Sequence, residues 1–171
     1  GYIYLTEDSY TGLLYRFISN NITDYKDYKK PDMNDGILQA LKINDKNKIE
    51  WINIGNYNKN TAIQGIRQGA KIFKGSEGID IDKERRKIYF VTKYDNIVWE
   101  INLLDNTLSI LYDKSKDPNP QASGLDNVTI TNKGVVCVAE DGGNMEIVAI
   151  NKNKNVPILR LIGQNKSEIA G

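Results

Sequence analysis

Apolar and β-branched residues come in short runs along this chain, and each run is bounded by Gly, Asn, Asp or Pro. Short runs punctuated by turn-forming clusters predict strands joined by tight turns. The pattern places strands near 2–6, 12–18, 36–43, 48–53, 78–82, 87–92, 96–102, 107–112, 126–131, 134–139, 145–150 and 156–162. No interval carries an apolar stripe of helical period long enough for a major helix.

Two passages repeat one plan. The first is GIDIDKERRKIYFVTKYDNIVWEINLLDNTLSILYD, from Gly78 to Asp113, and the second is LDNVTITNKGVVCVAEDGGNMEIVAINKNKNVPILRLI, from Leu125 to Ile162. Each reads as four strands separated by a polar, a charged and an Asn-rich turn. Four strands recurring at about 45 residues is the spacing of propeller blades. A looser unit precedes them, made of GYIYLTEDSYTGLLYRFISN, GILQALKI and KIEWINI. The expected fold is therefore all-β, a β-propeller fragment of about three four-stranded blades, roughly 1–55, 76–113 and 124–163. Residues 19–35, with the polar insert NITDYKDYKKPDMNDG, and residues 55–75 are expected to be loops.

Three blades do not close a ring, and an open arc leaves apolar faces and strand edges uncovered. The chain also begins Gly1-Tyr2 without a methionine, so we expect a piece of a longer protein. Its partners would be the remaining blades of that protein, or copies of itself meeting through open edges.

Composition narrows the chemistry more than the fold. The 171 residues are 40% hydrophobic and 26% charged, with a formal net charge of +1. Such a balance offers no long-range field for nucleic acid or an anionic membrane, and no apolar run reaches the length of a membrane helix. Histidine is absent, which removes the usual general base and imidazole metal ligands. Cys137 is the single cysteine, so no internal disulfide forms. Its place in VVCVA reads as a buried, inert thiol. Trp51 and Trp99 read as blade packing, and KERRK at 83–87 as a solvated hairpin turn.

What remains is a set of acidic positions at the ends of predicted strands: Glu7-Asp8, Glu77, Asp126-Asn127, Glu140-Asp141 and Glu168. Asp and Asn suit turns for backbone reasons alone. Glu has no comparable turn role, and each of these glutamates lies beside an apolar run. In a propeller, strand ends far apart in sequence converge near the central channel. Carboxylates gathered there would suit hard cations such as calcium, with iron or manganese as further options.

The ordered series YLTEDSYTGLLYRF, GILQALKI, WINI, QGIRQGAKIFKGSEGID, KIYFVTKYDNIVWEI, LSILYD, GLDNVTITNKGVVCVAEDGG and SEIAG resembles the bacterial PhoX-like alkaline phosphatase family. The resemblance implies a part of a six-bladed propeller and a secreted, periplasmic or surface-located phosphomonoesterase with calcium and iron at its centre. Carried over by motif, it implies metal-ligand roles for Glu77, Asp126, Asn127, Glu140, Asp141 and Glu7, with Glu168 the least firmly matched. The substrate would be a small phosphorylated molecule. No residue is assigned as catalytic. The cysteine with which active members bridge iron lies upstream of this region in the family and has no counterpart here. Separately, Cys137 sits two positions before the place of the family's CED cysteine, inside a strand. Two other readings therefore stay open: a non-catalytic, calcium-stabilised binding propeller, and a lactonase-like calcium-dependent hydrolase.

Overall fold

A computed structural model of the chain describes residues 1–25, 28–55, 60–142, 144–151, 154–163, 167 and 169. Its strands form three four-stranded antiparallel sheets and one two-stranded hairpin. The first sheet orders β1 (Ile3–Thr6), β2 (Leu14–Ser19), β5 (Gly36–Ile43) and β6 (Ile49–Asn53). The second is the meander β7 (Ser76–Asp82), β8 (Lys87–Thr92), β9 (Ile97–Asn102) and β10 (Thr107–Asp113). The third is β11 (Leu125–Ile130), β12 (Val136–Glu140), β13 (Glu146–Ile150) and β14 (Val156–Arg160). Three consecutive four-stranded meanders are the blades that the sequence periodicity predicts.

Two stretches expected to be loops hold regular structure. Within the polar insert, β3 (Ile22–Tyr25) pairs with β4 (Tyr28–Pro31). Its alternation is too short, and too rich in Lys and Asp, to read as strand from periodicity. Within residues 55–75 lies a short helix, α1 (Thr61–Arg67). At seven residues it is too short to show a stripe, and it is held by packing. Leu13, Tyr15, Ala40 and Ile54 form a buried cluster on the first sheet, and Ala62 and Ile66 of α1 pack against it.

The β3–β4 insert is pinched at its neck. The Asn20 amide nitrogen donates to the Asp35 carbonyl at 3.0 Å, and the Asn20 and Asn21 side chains donate to the Asp35 carboxylate at 2.8 and 2.6 Å. The Ser19 hydroxyl donates inward to the Asp32 carbonyl at 2.8 Å.

The middle sheet is buried on both faces, which explains why KIYFVT reads as an unbroken apolar run. Alternate residues divide between two cores. Ile88 and Phe90 face Leu14, Leu41, Phe73 and Trp99, while Tyr89 and Val91 face Leu125, Val128, Val138 and Val148. Trp99 is a packing residue, edge-on to Phe73, with its indole N–H donated to the Thr92 hydroxyl at 3.1 Å. Cys137 is a buried free thiol whose burial pushes its pKa up, as expected of an inert one.

The sheets are also joined by polar contacts. The Asp80 carboxylate on β7 accepts from the Ile130 amide at 2.9 Å and the Thr129 hydroxyl at 3.2 Å on β11. Gly78 lets the two backbones approach, since a Cβ there would lie 2.6 Å from Asn127 Cα and 2.8 Å from Val128 N.

Hairpin turns carry left-handed residues at Asn47, Arg86, Asn96 and Asn106. Asparagine tolerates this region, but arginine at φ 54° has no such compensation. Arg86 is exposed, and only its carbonyl is used, accepting from Leu103 N at 3.0 Å. Arg86→Gly is therefore expected to raise stability by up to about 1 kcal/mol, read as a higher midpoint in urea unfolding.

Candidate functional site

The first strands of the second and third sheets each carry a β-bulge at an acidic position. On β7 the register slips between Ser76 and Ile79, around Glu77 and Gly78. On β11 it slips between Leu125 and Asn127, leaving Asp126 as the extra residue. A bulge breaks strict alternation and re-aims a side chain that the pleat would send elsewhere. Asp141 follows β12 directly, held by its own N–H donated to the Gly124 carbonyl at 2.7 Å. Gly124 adopts φ +60°, and a Cβ there would lie 2.7 Å from the Asp141 carbonyl oxygen.

Glu77, Asp126 and Asp141 meet around one cation, the ammonium of Lys93 in the turn between β8 and β9. Lys93 Nζ pairs closely with Asp141, and lies 3.4 Å from Asp126 Oδ1 and 3.8 Å from Glu77 Oε1. The Lys93 backbone is fixed by its N–H, donated to the Gly75 carbonyl at 2.8 Å. Hydrogen bonding to Asp141 is the main cause that pushes the Lys93 pKa up, with the charges of Asp141 and Asp126 adding to it. Glu77 is pushed up as well, first by desolvation and then by the charges of Asp8, Asp126 and Asp141. Three carboxylates facing one ammonium leave the locus net negative.

Of the acidic positions singled out in the sequence, the fold brings these three together. Glu7 turns elsewhere: its carboxylate accepts from the Leu13 amide at 3.1 Å and the Tyr15 hydroxyl at 2.8 Å. Its neighbour Asp8 is the member of that pair whose charge reaches Glu77. The Asn127 side-chain oxygen accepts from the Val128 amide at 2.8 Å. Glu140 is 1% exposed, and its two carboxylate oxygens accept from Ser123 N at 2.7 Å and Glu146 N at 3.1 Å. Glu168 lies outside the described residues.

Sequence reasoning missed Lys93 and Tyr94. The charge of Asp8 first of all raises the Tyr94 pKa, and desolvation adds to it. The exposed Tyr94 ring stacks on Tyr10, with centroids 4.2 Å apart and planes 11° from parallel. The available signal was position: VTKYDN ends a buried strand in a turn, and a lysine there needs a counter-charge from outside its own hairpin.

As a donor set, Glu77, Asp126 and Asp141 fit a hard cation in chemistry and charge, because all their ligating atoms are oxygens around a focus that already selects positive charge. They do not form a ready-made cage. Among the described residues, no group of three or more His, Cys, Asp or Glu lies close enough to hold a metal without rearrangement. Among the same residues, no helix is long and apolar enough to cross a membrane.

Comparison with known proteins follows the same direction. A search of curated proteins finds no match. Among solved structures, the chain is similar to PhoX of Pseudomonas fluorescens in complex with vanadate, a transition state analogue, with a TM-score of 0.63 at 11% identity. That likeness is one of fold; it covers 91% of this chain and 41% of the Pseudomonas chain. The family model of alkaline phosphatase PhoX matches residues 1–102. That span is more than half of the 171 residues, and by it the chain belongs to the PhoX alkaline phosphatase family.

Proposed function

We propose that the protein carrying this chain is a metal-dependent phosphomonoesterase, and that Glu77, Asp126 and Asp141 face its bound cations. The observation that supports this reading is the convergence of those carboxylates, from three strands of two blades, on one cationic centre. Calcium is the proposed ion, with iron as a second, held jointly with donors beyond these three. A bound cation would neutralise phosphate charge and lower the pKa of an attacking water. The chain's own residues supply the frame: the bulges aim Glu77 and Asp126, and the Gly124–Asp141 contact fixes the third carboxylate. Lys93 adds an ammonium able to bind a phosphate oxygen. With no histidine in the chain, proton transfer by this segment would fall to carboxylates, Lys93 or Tyr94.

By the same family membership we propose a periplasmic, extracellular or surface location. We propose further blades of the protein as the partners of the third sheet. That sheet leaves Ile158 58% and Val135 41% exposed around an open apolar cleft floored by Cys137 and Ala149.

The test is hydrolysis of nitrophenyl phosphate by the full-length protein supplied with calcium, iron or both. Glu77→Gln is expected to lower kcat/KM by roughly a hundredfold. No turnover with any cation, or an unaffected Glu77→Gln, would overturn the assignment. One observation favours a second reading, a non-catalytic propeller stabilised by cations: Lys93 already neutralises part of the site. Calcium-dependent stabilisation without ester hydrolysis would support it, and turnover of a lactone alone would point to lactonase chemistry.

A further inference from the structure

We propose that Lys93 is a tethered counter-cation that a divalent metal must displace, so that this side chain sets the cation affinity of the site. The proposal rests on the reading that cations bind at these carboxylates, and it adds a residue that works against them.

The geometry has three parts. First, the same oxygens that would face a metal already face the ammonium: Asp141 in close contact, Asp126 at 3.4 Å and Glu77 at 3.8 Å. A divalent ion drawing on those oxygens would lie a few ångströms from Lys93 Nζ. At that range two cations repel strongly wherever water is partly excluded. One of them leaves.

Second, the carboxylates are built in and the ammonium is not. Glu77 and Asp126 stand at bulges within strands, and the Asp141 backbone is tied to Gly124. The Lys93 backbone is fixed through Gly75, but its ammonium is held only by these same carboxylates and rides on a four-carbon stem. Its side chain is 28% exposed, which gives the ammonium a route to solvent when it is expelled.

Third, the charges do not cancel. One ammonium against Glu77, Asp126 and Asp141 leaves two negative charges, and Asp8 adds to the field at Glu77. The locus thus keeps its attraction for a doubly charged ion while Lys93 is in place. Without a metal, the lysine prevents the three carboxylates from forcing apart the blades that carry them. With a metal, it becomes the competitor. No bond is made or broken: one cation exchanges for another.

The experiment compares wild type with Lys93→Met in the full-length protein, using terbium as a luminescent probe displaced by calcium. The variant keeps the stem and removes the charge. Terbium and calcium affinity are expected to rise at least roughly tenfold, because the competing charge is gone. The metal-free variant is expected to melt below wild type, and calcium to raise its Tm by more than it raises that of wild type. Unchanged or weaker cation affinity in Lys93→Met overturns the proposal, as does the absence of cation binding in both proteins. If Lys93→Met does not fold in EDTA, Lys93→Gln is measured beside it. Recovery of either variant by calcium supports exchange, and failure of both to fold with calcium present overturns it. The outcome is separable from the phosphatase reading. Tightened terbium binding with no ester hydrolysis leaves the exchange standing and removes the hydrolase, whereas hydrolysis with unchanged affinity does the reverse.

Discussion

Gly78→Val is expected to cost more stability than any other single substitution named here, and to do so by separating two blades. Gly78 lies at the β7 bulge, where β7 runs against the start of β11. Even an alanine Cβ would stand 2.6 Å from Asn127 Cα and 2.8 Å from Val128 N, distances at which backbone rather than a flexible side chain must give way. Valine adds two methyl groups to that collision. Overpacking of a tight core costs about 1–3 kcal/mol where side chains can adjust. Here the obstacle is main chain, and about 4 kcal/mol is expected, a large share of the stability of an ordinary domain. Moving β11 away also strains the bonds from Ile130 and Thr129 to Asp80, and carries Asp126 away from Lys93. Urea unfolding followed by tryptophan fluorescence checks the size of the effect. A loss below about 1 kcal/mol would show that the blades slide apart easily.

Glu140→Ala is the second. The carboxylate is buried, and its oxygens separately satisfy the amides of Ser123 and Glu146. Removing it orphans two amides, at about 1–3 kcal/mol each, and leaves a cavity as well. A total of about 3 kcal/mol is expected, seen as a drop in urea midpoint. The pH profile tells the charge from the hydrogen bonds. Desolvation first of all raises the Glu140 pKa above its unfolded value, so the folded state holds the proton more tightly. The stability this provides is fully present below the unfolded glutamate value, about 4.3, and is lost as pH rises through the folded value. Glu140→Gln is expected to flatten that part of the stability–pH curve, while losing one of the two acceptors. An unchanged slope would mean that the proton is held elsewhere.

The two kinds of role were unequally legible. Strand positions could be read because blades alternate short apolar runs with Asn, Asp and Gly turns, so β5 and β8 fall at 36–43 and 87–92 as expected. The helix over 61–67 was not legible, since Thr61–Arg67 is held by contacts to Leu13 and Ala40 from another part of the chain. Acidic strand ends could be found, but their division of labour could not. Glu140 and Asp141 are neighbours in sequence, yet one is turned inward to amides and the other outward to Lys93. Glu7 and Asp8 divide in the same manner. That sorting is made by pleat and bulge, and a one-residue difference in register reverses it. Lys93 stayed hidden for a related reason, because its partners lie on β7, β11 and the end of β12, reached only once two blades stand side by side.

The pinched neck below β3 and β4 bears on how this chain can change over time. Asp35 and its asparagine partners close the insert where it leaves the first blade, so β2 and β5 pair from Ser19–Gly36 onward as if a tight turn joined them. Loop-closure entropy grows only slowly with length, so lengthening the excursion beyond a closed neck adds little cost. Descendants of this gene can therefore lengthen, shorten or replace that ornament while the blade beneath keeps its pairing, which makes residues 22–31 ground for innovation that leaves the Lys93 locus untouched.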